Sequence, residues 1–399
     1  MSYFDSVSLA PADPILSLTE AFKADANPDK INLSVGVFVD DNGVTPVLDT
    51  VKEAETRLLT NSKTKSYLPI TGSPEYARLT QNLCFGSELA KQLRDQTVSL
   101  QTPGGTGALR VAADFIAKNL DTKTVWLSNP TWANHGGIFG SAGLQTESYT
   151  YFDNASLSLD YAAFIDAISK IPAGDVVVLH GCCHNPTGAD LEPEQWEEVA
   201  KIAASKGWIP LVDFAYQGFG IDIDTDAAAA RIIAKSGLPV FVCQSFSKNL
   251  GLYQDRVGAL HVVTGDSAAT EKVASQLKVS VRTNYSNPPA HGGGIVTTIL
   301  SDETLTAKWH QEVAAMRGRI AGVRQQFVDA LKAAGVSRDF SFLIKQKGMF
   351  SFTGLTKEQA MELREKHAIY IVNSGRINVA GITSANLERL VASLKSIIG

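Results

Sequence analysis

The 399-residue chain carries 36 Lys+Arg against 41 Asp+Glu, a formal net charge of −5, with 44% hydrophobic and 19% charged residues. That balance excludes a disordered, collagen-like or low-complexity chain and offers no basic surface for nucleic acid or anionic lipid. The length fits two or three domains around a large core. Four cysteines make no disulfide framework; Cys182 and Cys183 are adjacent and poorly placed to pair with each other. Reduced thiols, no charged-then-apolar leader pattern in MSYFDSVSLAPADP and no run of about 18 apolar residues lead to the expectation of a cytoplasmic protein.

Residues 1–14, punctuated by Pro11 and Pro14, predict no regular element; such an arm is either disordered or packed on another subunit. From Thr97 onward short apolar runs alternate with helical stretches. Val98 to Gln101 reads as a strand, followed by a glycine-rich loop and a helix over Ala108 to Lys118. Thr124 to Leu127 and Asp175 to Leu179 are further strands, the latter with three consecutive valines. A helix over Pro193 to Ser205, stopped by Gly207, leads to strands at Trp208 to Val212, Val240 to Gln244 and Val257 to Val263. Apolar strands alternating with helices predict a parallel sheet covered on both faces. The last 90 or so residues read as a smaller α+β unit. It begins with a long helix over Trp309 to Ala334 and continues with a strand at Gly348 to Phe352. A capping box of Thr356 and Gln359 precedes a helix over Ala360 to Lys366. Short strands at Tyr370 to Val372 and Ile377 to Val379 follow, and Ser384 is the expected N-cap of a final amphipathic helix through Leu387, Leu390, Val391 and Leu394.

Four motifs carry chemistry, each after a predicted strand. In Thr102-Pro103-Gly104-Gly105-Thr106-Gly107 a glycine-rich strand-to-helix connection is either a plain tight turn or an anion site on exposed backbone N–H groups; it lacks the third glycine of a dinucleotide fingerprint. In Ser245-Phe246-Ser247-Lys248, a lysine at the mouth of a parallel sheet is either solvated or, if buried, an amine of lowered pKa suited to attack an aldehyde. Ser245, Ser247 and Arg256 offer donors for a phosphate. In Val212-Asp213-Phe214-Ala215-Tyr216, Asp213 is either a helix cap or a carboxylate that keeps a ring nitrogen protonated, with Tyr216 within reach of the same ligand. In His180-Gly181-Cys182-Cys183-His184-Asn185-Pro186-Thr187-Gly188, the cysteines lack the spacing of a zinc site, so no metal is expected; the turn that aims Asn185 is the informative part. Together the four fit a phosphorylated pyridine aldehyde, pyridoxal 5′-phosphate: an amine for the Schiff base, an acid for the ring nitrogen, donors for the phenolic oxygen and a phosphate cradle.

The stretches TPGGTGALR, NPTWANH, HGCCHNPTG, VDFAYQGF, SFSKNLGLYQDRVG, NYSNPPAHG, GMFSFTGL and SGRINVAG, extended back by INLSVGVF and YLPITGSPEY, cover residues 31 to 381. With them the chain resembles the class I, fold type I pyridoxal-phosphate aminotransferases of the aspartate/aromatic amino acid subgroup. The resemblance implies an α/β fold: an arm at 1–10, a small domain from 11–40 and 309–399, and a large cofactor-binding domain over 41–308 with a mostly parallel sheet. It implies a catalytic set of Lys248, Asp213, Tyr216 and Trp132. Lys248 is then the Schiff-base lysine and proton carrier, Asp213 the partner of the ring nitrogen, Asn185 and Tyr216 the contacts of the phenolic oxygen, and Trp132 the ring stacked on the cofactor. Gly105, Thr106, Ser245, Ser247 and Arg256 gather at the phosphate, joined by Tyr67 from a second subunit of a homodimer. Arg376 grips the substrate α-carboxylate beside Gly36, Trp132 and Asn185, and Arg282 grips a distal carboxylate across the subunit boundary. The implied reaction is ping-pong transfer of an amino group to 2-oxoglutarate.

Substrate choice is divided. Val39 and Ser66 stand where aspartate-selective members of the family tend to have Lys and Asn, and Tyr67-Leu68-Pro69 is common among aromatic-accepting ones. Val37, Thr45, Thr106 and Asn287 match the aspartate-selective set. The balance leans to dual specificity with aromatic amino acids accepted well. The alternatives are a strict aspartate aminotransferase, a pyridoxal-phosphate lyase of the same fold, and a non-catalytic binder, against which an intact Lys248 speaks.

Overall fold

The structure is a computed structural model that describes residues 2–10, 16–122 and 124–399; Pro11 and Pro14 of the sequence reading lie outside them. A seven-stranded sheet forms the centre. Its strands lie side by side in the order Thr97–Pro103, Val257–Val263, Val240–Ser245, Ile209–Phe214, Val176–His180, Thr124–Asn129 and Gln145–Thr150. The valine-rich strands are buried along their whole length because both faces are covered. Val176, Val178, Leu211, Phe241 and Leu260 pack into one core and Val177, Leu179, Val212, Val242 and Ala259 into the other.

One strand departs from the expected parallel arrangement. Val257–Val263 runs antiparallel to both neighbours, Val240–Ser245 and Thr97–Pro103. The segment 246–256 that precedes it contains no helix. A parallel return needs a crossover of a dozen or more residues, so this short connection turns the chain straight back. The polar edge strand Gln145–Thr150 has no apolar run and left no signal in the sequence. The register places His180 beside Asp213, and Ser245 beside Gly258. Pro103, opposite Val257, ends its strand at the same edge. The ends of four strands and the turns that follow them therefore share one rim, where open α/β sheets bind ligands.

The glycine-rich connection is not a loop. The strand runs through Pro103 and the helix Gly104–Asn119 begins at once, so Gly105, Thr106 and Gly107 form its first turn. Gly104 sits at φ +71°, and a Cβ at Gly107 would lie 2.7 Å from the Pro103 ring, so glycine at both positions allows this direct change from strand to helix.

The C-terminal unit is held by two small strand pairs. Ile31–Asn32 pairs in parallel with Ile369–Tyr370, and Phe350–Phe352 pairs antiparallel with Arg376–Asn378. The long helix spans Glu303–Ala333, starting six residues before Trp309; Asp302 caps it through the backbone N–H groups of Thr304 and Leu305. Leu305, four residues before Trp309, is already buried, so the core-facing stripe extends one turn further back than the sequence reading placed it. Trp309 donates its indole N–H to the Asn249 carbonyl at 2.7 Å, tying this helix to the large sheet. The Thr356/Gln359 capping box forms as expected. Ser384 does not cap the last helix. That helix runs Leu387–Ile398 after Asn386, while the Ser384 hydroxyl and N–H both donate to Asp41. A nearby carboxylate outcompetes the local backbone for the hydroxyl.

Candidate active site

At the sheet rim lies a cavity of about 260 Å³. Twelve residues singled out from the sequence line it: Gly36, Gly105, Thr106, Trp132, Asn185, Asp213, Tyr216, Ser245, Ser247, Lys248, Arg256 and Arg376. Leu109, Ala215 and Phe350 line it too and were not anticipated.

One end is built for an anion. The first turn of helix Gly104–Asn119 presents N–H groups that no intrahelical carbonyl can take. Beside it Arg256 donates from Nη1 to the Ser247 hydroxyl at 3.2 Å, and the Ser245 hydroxyl lies 3.2 Å from that of Ser247. Arg256 adopts φ +52°, a left-handed backbone that a non-glycine residue rarely takes. The packing is close: a Cβ at Gly104 would meet Arg256 Nη2 at 2.5 Å and one at Gly105 would meet Ser245 Cβ at 3.0 Å.

The opposite end is an acid held by a hydrogen-bonded chain. Asp213 is buried and accepts from His135 Nε2 at 3.1 Å. His135 Nδ1 meets the Thr131 hydroxyl at 2.8 Å, which meets His180 Nε2 at 3.1 Å. The Asn185 backbone N–H points at His180 Nδ1, 3.4 Å away. A backbone N–H can only donate, so the chain has one direction. His180 Nδ1 accepts, its Nε2–H donates to Thr131, Thr131 donates to His135 Nδ1, and the His135 Nε2–H is left for Asp213. Burial, with help from His135, lowers the His180 pKa to about 3, which keeps that ring neutral and the chain intact. His135 and Thr131 stood in NPTWANH without an assigned role. Their spacing of four residues was visible; their link to Asp213, 78 residues away, was not.

Lys248 lies between these ends. Its Nζ sits 4.9 Å from the centre of the Tyr253 ring and 5.9 Å from that of Tyr216. Burial, then the Arg256 charge, lowers its pKa from 10.5 to about 8. The neutral amine, the nucleophilic form, is therefore present near neutral pH. The uptake of an aldehyde by the cofactor-free protein is expected to quicken about tenfold between pH 7 and 9 and then level off. Stopped-flow absorbance measures this, and a rate that still rises about tenfold from pH 8 to pH 9 would show an ordinary lysine. Tyr216 is buried, and burial together with Asp213 pushes its hydroxyl pKa up.

Arg376 closes the cavity on the side of the C-terminal unit. Its Nη2 donates to the Ser34 carbonyl at 2.5 Å, its Nε is buried without a partner, and no carboxylate pairs with it among the described residues. Burial brings its pKa down to about 10. A buried guanidinium with free donors is costly unless an anion arrives to use them. The Asn185 amide oxygen is likewise buried and unpartnered.

Two sequence-predicted residues are not in the cavity. Tyr67 is 92% exposed, and Arg282 is exposed on the last turn of helix Ser267–Asn284, bonded to the Ser286 hydroxyl. They share one surface, since Asn287 Nδ2 donates to the Leu68 carbonyl at 2.7 Å. Of the substrate-choice positions only Thr106 lines the cavity; Val37, Val39 and Thr45 line a neighbouring surface cavity and Ser66 another. Cys182, Cys183 and Asp226 bring two thiols and a carboxylate within 4.8 Å of one another. Asp226 accepts from the N–H groups of Gly218, Gly220 and Ile221, and burial raises both thiol pKa values.

Residues 28–394 match the family model described as aminotransferase class I and II. The chain belongs to that family. Among members of this aminotransferase family, it is 52% identical over 397 residues to the aspartate aminotransferase of Escherichia coli (strain K12), covering 99% of this chain and all of that one. It is 44% identical to the aromatic-amino-acid aminotransferase of Pseudomonas aeruginosa, covering 100% of this chain and 99% of that one. A solved aminotransferase, the aromatic-amino-acid enzyme of Burkholderia pseudomallei covalently bound to pyridoxal phosphate, superposes with a TM-score of 0.97 at 43% identity over the whole of both chains. No helix among the described residues is long and apolar enough to cross a membrane.

Proposed function

We propose that this aminotransferase binds pyridoxal 5′-phosphate at the rim cavity and moves the amino group of aspartate and of aromatic amino acids to 2-oxoglutarate in two half-reactions. The observation that carries this reading is one cavity that joins a lysine amine of lowered pKa to an unpaired, buried arginine and an anion cradle. The residues fit the cofactor: a phosphate cradle too tight for a Cβ, a carboxylate on a fixed imidazole, and the unpartnered Asn185 amide between them. Bound there, pyridoxal phosphate supplies an aldehyde for imine chemistry and a pyridinium that withdraws electrons from Cα. Asp213, fixed by His135, would keep the ring nitrogen protonated. Trp132, Asn185 and Tyr216, which line the same cavity, would hold the ring, with Asn185 and Tyr216 offering polar groups for its phenolic oxygen. Lys248 Nζ, buried and of lowered pKa, would serve as the base that takes the proton from substrate Cα and, once protonated, as the acid that delivers it. Arg376 binds the α-carboxylate and so aims the Cα–H bond at Lys248.

Aspartate and aromatic side chains both enter this reading because relatives named for each are 42–52% identical to the chain. The decisive measurement is the absorbance of the holoenzyme: adding aspartate, or separately phenylalanine, without any oxo acid should convert the cofactor band to that of the aminated cofactor, and 2-oxoglutarate alone should restore it. A lyase would give product without a stable change of the band.

The reading includes a homodimer. With Tyr67 and Arg282 outside it, the cavity of their own chain lacks the expected phosphate tyrosine and distal-carboxylate arginine, and both stand on one exposed surface. The arm adds exposed apolar side chains, Tyr3, Phe4, Val7 and Leu9, which a partner would cover. Sedimentation at assay concentration should give the mass of two chains, and a fully active monomer would overturn this. The small unit is assigned to 11–40 and 309–399 and the large one to 41–308, supported by the pairing of Ile31–Asn32 with Ile369–Tyr370. A cytoplasmic location is supported by four buried free cysteines.

A further inference from the structure

Arg376 is held by fewer hydrogen bonds than its burial demands. Among the described residues its one hydrogen bond is the donation to the Ser34 carbonyl, and its Nε has no partner. What lies against it is the ring of Phe350, 4.3 Å from the guanidinium carbon to the ring centre. That is within the range in which an aromatic face attracts a cation.

The contact follows from the register. Phe352 is directly opposite Arg376 in the antiparallel pair, and Phe350, two residues away, is its diagonal neighbour on the same face. The ring is fixed on its remaining sides. A Cβ at Gly36 would lie 2.8 Å from Phe350 Cζ, so the Gly36 backbone abuts the ring edge. Tyr216 packs against it edge-on, centroids 6.0 Å apart at 80°. Behind it the buried Arg324 donates to the Gly348 and Phe350 carbonyls at 2.7 and 2.8 Å, locking the strand that carries the ring. Nothing in the sequence motifs assigned Phe350 a role.

We propose that Phe350 is a positioning residue for the arginine that reads the α-carboxylate: its immobilised face holds the Arg376 guanidinium in the plane needed for a two-pronged grip before substrate arrives. The proposal rests on the reading that Arg376 binds that carboxylate. A ring held by Gly36, Tyr216 and the Arg324 clamp spares the arginine the loss of rotamer freedom on binding, and that saving appears as affinity for carboxylates alone.

The test compares two ligands of one shape on the holoenzyme, 3-phenylpropanoate and 3-phenylpropanamide, by titration of the cofactor absorbance. In the native protein the carboxylate should bind more tightly than the amide. Phe350→Leu should weaken the carboxylate about 3- to 30-fold, the range of a partly to fully desolvated cation–aromatic contact, and leave the amide within about twofold. In turnover the same variant should raise KM for aspartate and for phenylalanine by a similar factor with little change in kcat. Phe350→Met, which keeps an apolar side chain of similar length but no ring face, should give the same carboxylate-selective loss and serves as the second variant if Phe350→Leu does not fold. Equal weakening of acid and amide would make Phe350 an apolar wall and overturn the proposal. Equal binding of acid and amide by the native protein would instead overturn the reading of Arg376.

Discussion

Lys248→Ala should lower turnover roughly 10,000-fold or more, since one amine performs both the covalent exchange and the proton transfer. The geometry makes substitution by a neighbour implausible. Arg256 and Arg376, the other cations of the cavity, are guanidinium groups that stay protonated and cannot serve as bases. Tyr216 has its hydroxyl pKa raised by burial and Asp213, so it is a poor base as well. The variant should still fold and still bind the cofactor, because the phosphate cradle, Asp213 and Asn185 are untouched. Cofactor should then be removable by dialysis, and borohydride should no longer trap it on the chain. Single-turnover absorbance with aspartate measures the loss. Near-native turnover in a dialysed, cofactor-replete Lys248→Ala protein would sink the proposed function.

Arg282→Ala should separate the two substrate classes. On the proposed homodimer Arg282 meets the distal carboxylate of aspartate or 2-oxoglutarate in the partner's cavity, whereas phenylalanine has no such group. Loss of a charge-assisted, bidentate pair in a cleft costs about 2–5 kcal/mol, or roughly 30- to 4,000-fold in kcat/KM. The phenylalanine half-reaction should change by no more than about threefold. For an aromatic substrate the guanidinium must stay solvated, and the structure shows it exposed with Ser286 as its one partner among the described residues. Val39→Lys should shift preference toward aspartate by a smaller factor, because a charge in the surface cavity near Asp41 is screened by salt. Single half-turnovers of both amino acids in the native protein and both variants decide the matter. Equal losses for aspartate and phenylalanine in Arg282→Ala would show that this residue does not read the distal carboxylate.

Local physics wrote a large part of this molecule into its sequence. Runs such as Val176 to Leu179 and Val257 to Val263 had to be strands buried on both faces, since no water-facing alternation is present. Gly207 stopped its helix at a left-handed residue, and Thr356 with Gln359 capped theirs. The motifs after the strands also named most of the cavity, because a ligand site at a sheet rim is made of strand ends, and strand ends are local. What depended on the tertiary structure is everything that compares distant segments. The direction of Val257–Val263 followed from a connection too short to cross over. The fate of Ser384 followed from Asp41 reaching it first. His135 acquired its task only when 78 residues of chain brought Asp213 to its Nε2. Phe350 acquired its place from a strand register and the bare backbone of Gly36. Burial decided the chemistry: the same lysine, arginine and imidazole side chains are ordinary in water, and the removal of water around Lys248, Arg376 and His180 lowers each pKa and gives these positions their character.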